Sequence, residues 1–313
     1  MSISPLLSIC IPTYNRSEYL LKCLNSIISQ PEFDDRVEIV ISDNCSSDNT
    51  ELVIKDFIYS YPNIKYFRNT KNLVDENHIL ALKRGTGILR KLSNDTILYK
   101  EGSLKYLLEL IDKYKNSRPL IYLHNYNNEK DSLVSSLDEF LYAVSFRVTW
   151  IGSVCIWDDG LERLKLYSSY ADSHLAQVPY LLNESVFRNN VFISNKVIMS
   201  SCAVKGKNLT YGLYKVFYDN FLNFIDEYRV KKLICNETYD FVKKGLLIDF
   251  FSRWCAIADS RNRDFVFSDE NLTKLVKRAY CHEKYYIIFE IKYIYFYFKE
   301  ILKKVRDRVV KWN

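Results

Sequence analysis

Two short apolar runs, Leu7 to Ile11 and Val37 to Ile41, each stop abruptly at a polar loop. Runs of that length bounded by turn residues predict buried strands. The first gives way to Pro12-Thr13-Tyr14-Asn15-Arg16, the second to Ser42-Asp43-Asn44-Cys45-Ser46-Ser47-Asp48-Asn49-Thr50. Between them, residues 17–29 put Leu20, Leu21, Leu24, Ile27 and Ile28 on one helical face. The alternation continues with a helix over 49–59, a strand Ile64 to Phe67, a helix Val74 to Lys83 and a strand Ile88 to Leu92. A helix over 102–114 and a strand Leu120 to His124 follow. Asn15 with Glu18, and Asp48 with Glu51, have the spacing of a capping box. Such an order predicts βαβ units and a largely parallel sheet.

The rhythm ends near residue 125. Residues 126–140 are polar and lead to an apolar run, Trp150 to Trp157. His174 to Leu182 predicts a helix, 185–200 predicts strands, and from 212 onward the pattern is helical. No internal repeat occurs.

In an open α/β sheet, ligands bind at the carboxyl ends of the strands, which makes the two early loops the candidate site. Asp43 can accept hydrogen bonds from a base N–H or a ribose hydroxyl, and Arg16 suits a phosphate. Read alone, Ser46 and Asp48 serve equally as helix caps, and Arg16 as a surface cation.

Composition narrows this. With 48% hydrophobic residues in 313, a packed core is expected and wholesale disorder is excluded. Only 8 glycines argue against a glycine-rich phosphate loop, and with it a nucleotidyltransferase. The net charge of +6 suits an anionic partner. Its basic residues cluster in one tail, so nucleic acid is not an expected partner. Eight cysteines without a CxxC pair predict free thiols in a reducing, cytosolic compartment and suggest no zinc site. The N-terminus lacks the features of a secretory signal, and no 18-residue apolar run predicts a spanning helix.

The string Ser8-Ile9-Cys10-Ile11-Pro12-Thr13-Tyr14-Asn15-Arg16, then Ile39 to Asn44 with Ser46, Asp48 and Thr50, resembles the family-2 glycosyltransferases. The likeness runs through Asn72, Asn77, Ala81 and Leu82 to Leu92-Ser93-Asn94-Asp95-Thr96-Ile97-Leu98, covering residues 5–115. It implies an α/β protein of GT-A fold: a Rossmann-like, mainly parallel sheet flanked by helices, with a helical C-terminal extension. It also implies a nucleotide-sugar donor and inversion at the anomeric carbon. By the same resemblance Pro12, Thr13, Tyr14 and Arg16 line the donor pocket, Asp43 holds the base or ribose, and Asn72 lies near the nucleotide.

The family's Asp-x-Asp metal motif falls on Asn94, Asp95 and Thr96, where one acid remains. Asp95, helped by the Asn94 or Thr96 oxygen, is expected to hold Mg²⁺ or Mn²⁺ weakly or through water. The alternatives are metal-free catalysis, with Arg90 or Lys91 on the leaving diphosphate, and a dead site. An inverting transfer also needs a general base. In Tyr170-Ala171-Asp172-Ser173-His174, Asp172 is the first choice and His174 the second, although Asp172 or Ser173 serves equally as a helix cap. Trp150, Ser153 and Trp157 are either sugar contacts or core.

The tail is the other distinct feature. Tyr285 to Phe298 holds eight aromatics, and Lys299 to Lys311 holds six basic residues and two acids. That sequence suits a membrane interface over 285–311; the alternative is packing on the catalytic domain or on a second subunit of a homodimer. The chain thus divides into a nucleotide-sugar half (1–125), an acceptor half (126–210) and a helical extension (211–313). The expected activity is transfer of a sugar from a nucleotide donor, a UDP-sugar first, to a hydroxyl of a polyprenyl-diphosphate-linked glycan. This belongs to O-antigen or capsule synthesis at the inner face of the cell membrane. The rival readings are a degenerate GT-A scaffold or sugar-binding module, and a nucleotidyltransferase.

Overall fold

A computed structural model describes residues 4–126, 129–202, 207–208, 211–260, 265–266, 268–269 and 271–310; for 166–169, 171, 207–208, 265–266 and 307–310 only the backbone is considered. Lys311, in the expected membrane segment, lies outside the described residues. The chain divides into two compact units, Met1–Phe140 with Arg147–Ala203, and Leu141–Phe146 with Val204–Asn313.

The first unit begins β1 (Leu7–Thr13), α1 (Ser17–Ile28), β2 (Val37–Asp43), α2 (Thr50–Ser60), β3 (Ile64–Arg68), α3 (Glu76–Arg84) and β4 (Leu89–Leu92). It continues with β5 (Ile97–Tyr99), α4 (Ser103–Tyr114), β6 (Leu120–Leu123), β7 (Ser132–Val134), the start of α5 (Leu137–Val144, counted with the second unit from Leu141), β8 (Cys155–Trp157), α6 (Gln177–Arg188), β9 (Val191–Ser194) and β10 (Met199–Ser201). The central sheet has the order β3-β2-β1-β4-β8, with β8 alone antiparallel. Every residue of β1 and β2 is buried. Both faces of these strands are covered, which is why apolar residues predominate on both; among their buried exceptions, Ser8 donates to Glu38. Leu20, Cys23, Leu24 and Ile27 of α1 belong to the same core as Ile9, Ile11, Ile39 and Ile41.

Three expectations are corrected. Asn15 does not cap α1: its φ is +51° and its Oδ1 accepts from Ser47 N of the other loop at 2.7 Å. The helix expected from His174 starts at Gln177 and runs to Arg188. His174 has a left-handed φ of +59° that ends a 3₁₀ segment, Asp158–Ser173, and blocks an earlier start. The strand expected from 185 therefore begins only at Val191, after Asn189 (φ +53°) stops the helix. The polar stretch 126–140 also holds structure. β7 pairs antiparallel with β9, and α5 follows Ser136, whose Oγ accepts from Glu139 N at 3.1 Å.

The second unit is helical: a π-helical segment Tyr214–Asn220 leads into α7 (Phe221–Val230), then α8 (Asn236–Gly245), α9 (Ser252–Asp259), α10 (Leu272–Tyr280) and α11 (Tyr286–Val310). One face of α11 is tied down: Phe289 is buried, Lys292 Nζ meets Asp249 at 2.6 Å, and Tyr293 OH donates to Asp259 at 2.7 Å. Ile287, Ile291, Ile294, Phe298, Leu302 and Val305 are exposed at helical spacing. Among the described residues no helix is long and apolar enough to cross a membrane.

Candidate active site

β1 and β2 run in register from Leu7↔Val37 to Thr13↔Asp43, so their carboxyl ends are level. Beyond β4, Ser93 N donates to Cys10 O at 2.8 Å, which carries Asn94 and Asp95 past the end of β1. There Thr13 Oγ1 donates to Asp95 Oδ2 at 2.9 Å, and Arg16 Nη1 lies 3.2 Å from Asp95 Oδ1. Asp95 is 1% exposed, while the Arg16 side chain keeps 36% of its surface. Thr13, Asp43 and the loop that holds Asp95 thus share one edge of one sheet.

Asp43 is fully buried; its Oδ1 accepts from Ser46 N at 2.9 Å and its Oδ2 from Tyr66 OH at 2.6 Å. Burial and the Asp43 charge both push the Tyr66 phenol up, so it stays a donor. The loops brace each other. Ser17 N donates to Asp48 Oδ2 and Thr50 N to Asp48 Oδ1, each at 3.0 Å, so one carboxylate serves the first turns of α1 and α2. Burial works to raise that carboxyl, yet the hydrogen bonds from Thr50 and Ser17 outweigh it and hold it below the usual carboxylate range.

An amide network holds the loop between β3 and α3. Asn44 Nδ2 donates to Asn72 Oδ1 at 2.7 Å, and Asn44 Oδ1 accepts from Leu73 N at 2.8 Å. Asn77 Nδ2 donates to Ser42 O at 2.8 Å, Asn69 Nδ2 to Asn77 Oδ1 at 2.9 Å, and Arg84 bonds Ser42 Oγ and Asn69 Oδ1. Asn44, Asn69 and Arg84 were not among the candidates. The signal for them was a run of asparagines following two strand ends.

Other candidates lie elsewhere. Arg90 and Lys91 register with Ser8 and Ile9, well short of the end of β1. Lys91 is 0% exposed, its Nζ bonded to Leu92 O at 3.0 Å and Gly152 O at 2.9 Å; burial pushes it down to about 8. Arg90 is buried too, among Cys10, Asp158 and Glu38. Both are set back from the strand end that carries Thr13. Pro12 is buried in β1, Tyr14 is exposed, and the Thr96 carbonyl accepts from Cys202 N at 2.8 Å. Trp157 is core, with its Nε1 donating to Pro119 O at 2.7 Å. Asp172 is exposed on the 3₁₀ segment, and His174 Nδ1 lies 3.1 Å from Asp75 Oδ2 at the start of α3.

Among the described residues no three metal-binding side chains gather. Asp95 is a hard oxygen ligand whose two oxygens are engaged by Thr13 and Arg16. Such a donor set fits Mg²⁺ or Mn²⁺ only as one protein ligand, with a diphosphate and water supplying the others.

Comparison with known proteins agrees with this geometry. Over 122 residues, 38% of this chain, it is 40% identical to abequosyltransferase RfbV of Salmonella typhimurium, covering 35% of that protein. Over 107 residues, 34% of this chain, it is 34% identical to a GalNAc(5)-diNAcBac-PP-undecaprenol beta-1,3-glucosyltransferase of Campylobacter jejuni, covering 34% of that protein. The matched stretch is thus about a third of each relative. The mannosyltransferase PcManGT of Pyrobaculum calidifontis, solved with GDP-Man and Mn²⁺, superposes with a TM-score of 0.53 at 14% identity. That likeness covers 97% of this chain and 88% of the other, and it carries the GT-A fold. The model of glycosyl transferase family 2 matches residues 8–149, the stretch that holds Thr13, Asp43 and Asp95. Over residues 8–149 the chain is thus similar to glycosyl transferase family 2, and the comparisons together support a family-2 glycosyltransferase.

Proposed function

We propose that this chain transfers one sugar, with inversion, from a nucleoside-diphosphate donor to a hydroxyl of a polyprenyl-diphosphate-linked oligosaccharide in surface polysaccharide synthesis. The observation that carries this reading is the meeting of Asp43 and Asp95 at one sheet edge, with Thr13 in register with one and bonded to the other. Asp43 accepts from the ribose or base. Thr13, Tyr14 and Asn72 border the nucleotide. Arg16 turns from Asp95 to the diphosphate as the donor enters, a geometry its exposed guanidinium permits. Asp95, with the Asn94 and Thr96 oxygens beside it, would hold a divalent ion at the diphosphate. When bound, that ion neutralises charge on the leaving group. The acceptor hydroxyl loses its proton to a base from the segment that holds Asp172 and His174.

The acceptor class is supported by the undecaprenol-linked substrate in the name of the Campylobacter relative. The exposed stripe of α11, beside Lys299, Lys303 and Arg306, fits an anionic membrane face where such acceptors reside. A donor screen with mass-spectrometric detection of released nucleoside diphosphate tests the reading. We expect release from one class of UDP- or GDP-sugar, abolished in Asp95→Ala. No release from any donor, together with no calorimetric binding of UDP or GDP with Mn²⁺ present, would favour a scaffold instead.

A further inference from the structure

β6 is apolar from Leu120 to Leu123 and ends at His124-Asn125, where the chain turns. Asn125, with a φ of +52°, builds the turn. Its Oδ1 accepts from Ile198 N at 2.8 Å and Met199 N at 2.9 Å, and its Nδ2 donates to Met199 O at 3.0 Å. Met199 begins β10, which pairs with β5 directly after Asn94, Asp95 and Thr96. Strand direction brings His124 to the edge that carries Asp95. β8 is antiparallel to β4, and the bridge Tyr122↔Val154 is antiparallel too, so β6 runs parallel to β4. Leu92 N donates to Val154 O at 3.0 Å, which puts Leu92, Val154 and Tyr122 in one row. Asn94 and His124 each stand two residues beyond that row, and two strand spacings come to about 10 Å. Asp43, on β2, lies to the other side of β1.

Hydrogen bonds orient the His124 ring. Its backbone is fixed by His124 N donating to Ser194 O at 2.8 Å. Asn195 N donates to Asp131 Oδ1 at 2.8 Å, and Asn195 Nδ2 donates to Lys130 O at 2.9 Å. Asn195 Oδ1 is therefore the amide atom that faces the ring, 2.8 Å from His124 Nδ1. An amide oxygen only accepts, so Nδ1 carries the proton and Nε2 is a lone pair. Burial pushes this imidazole down, which keeps it neutral. Nε2 is screened from water, and among the described residues no donor reaches it. A buried acceptor in that condition costs free energy until a donor is supplied. Two aromatic rings neighbour the imidazole. Tyr122, at 6.0 Å, is fully buried, and its OH donates to Arg147 O at 2.6 Å. Tyr126, stacked at 5.2 Å, is 44% exposed, and its OH accepts from Arg147 Nη2 at 3.3 Å. Of the two rings, Tyr126 has the room to move.

We propose that His124 Nε2 receives a hydroxyl of the acceptor glycan, admitted when the Tyr126 ring shifts; the assignment rests on the glycosyltransferase reading above. His124 is a specificity-determining residue, and the hydroxyl that it takes is not the one that reacts. That hydroxyl donates to Nε2, while Asn195 holds Nδ1 from behind. A sugar with a hydroxyl at this place supplies the missing donor. A deoxy sugar leaves Nε2 unpaired, and a sugar that presents a carbonyl oxygen sets two acceptors against each other.

The test reads the ring and the rate separately. The chain has four histidines, so ¹⁵N-detected NMR of the imidazoles is tractable, and His124→Asn identifies the signal. We expect the proton on Nδ1. We expect the Nε2 signal to move with at least one of the methyl glycosides of glucose, galactose, mannose and N-acetylglucosamine. A ring protonated on Nε2 overturns the assignment, as does an Nε2 signal that no glycoside moves. A signal that moves only with UDP-GlcNAc or GDP-mannose gives the hydroxyl to the donor and overturns the acceptor role. For the rate, His124→Asn keeps an N–H for Asn195 Oδ1 and lacks Nε2, while His124→Gln sets a side-chain oxygen near the Nε2 position. With a polyprenyl-diphosphate disaccharide as acceptor, His124→Asn should raise the acceptor KM about 3- to 10-fold. UDP affinity should be unchanged, and His124→Gln should recover part of the loss. An unchanged KM in His124→Asn overturns the proposal, and so does a UDP affinity that falls in step with it. If the wild type releases nucleoside diphosphate from no donor, the glycosyltransferase reading fails, while the NMR still decides whether His124 takes a sugar hydroxyl.

Discussion

Thr13 Oγ1 donates a 2.9 Å hydrogen bond to Asp95 Oδ2 across 82 residues of sequence, and it ties the end of β1 to the loop that follows β4. Its partner is a buried carboxylate that also pairs with Arg16, whose side chain keeps 36% of its surface. Thr13→Val therefore leaves a buried, charged acceptor short of a donor. We expect a loss of about 1–3 kcal/mol in urea unfolding, with donor turnover falling further than stability explains. Unchanged turnover in a folded Thr13→Val protein would detach this bond from the site.

The same carboxylate sets the metal behaviour. With Arg16 on one oxygen and Thr13 on the other, Asp95 has little to offer a free ion. Calorimetry should give no measurable Mn²⁺ binding to the protein alone, and clear binding once UDP or GDP is present. Arg16→Ala removes the competing cation. It should raise Mn²⁺ affinity without nucleotide and weaken the nucleotide itself. Tight Mn²⁺ binding by the unliganded wild type would contradict this.

Lys91 makes a prediction in pH. Burial lowers it from 10.5 to about 8, so between those values the unfolded chain binds more protons at this site than the folded one. Stability rises with pH wherever that holds. The contribution of Lys91 therefore improves as pH climbs through 8 toward 10.5. Lys91→Met has no such group. Comparing urea midpoints at pH 7 and pH 9, we expect the difference between wild type and Lys91→Met to shift in favour of the wild type at pH 9.

The exposed face of α11 predicts membrane behaviour. Ile291→Glu with Leu302→Glu places charge on the stripe without touching Phe289 or Tyr293, which pack within the helical unit. Sedimentation with phosphatidylglycerol vesicles should retain the wild type, less so as salt rises, and release the double variant. Equal retention of both would leave the stripe to another copy of the chain.

The β1-α1-β2 frame could be read from the sequence because both strands are mostly apolar, broken before their polar ends only by Ser8 and Glu38, a pattern that buried parallel strands share. Asn15 shows where such reading stops. Its spacing to Glu18 suggested a local cap, but its partner is Ser47, a contact that exists only once two strands are level. Lys91 marks the same limit. The sequence offered it as an alternative partner for the diphosphate, while every residue of β4, which lies between β1 and β8, is buried. His174 was visible only as a possible base; the carboxylate that faces it comes from a helix start about 100 positions away in sequence. The edge of the sheet was legible, and the side chains that cross between its loops were not.

Thr13 belongs to β1, not to a loop, and it stands opposite Asp43 while gripping Asp95. The interval between the two acids is therefore fixed by strand spacing, like marks on a ruler. Residues inserted after Arg16 or Asn44 could reshape what the pocket admits without altering that interval. Change in sugar preference is free to accumulate in the turns, while the scale that measures the nucleotide stays constant.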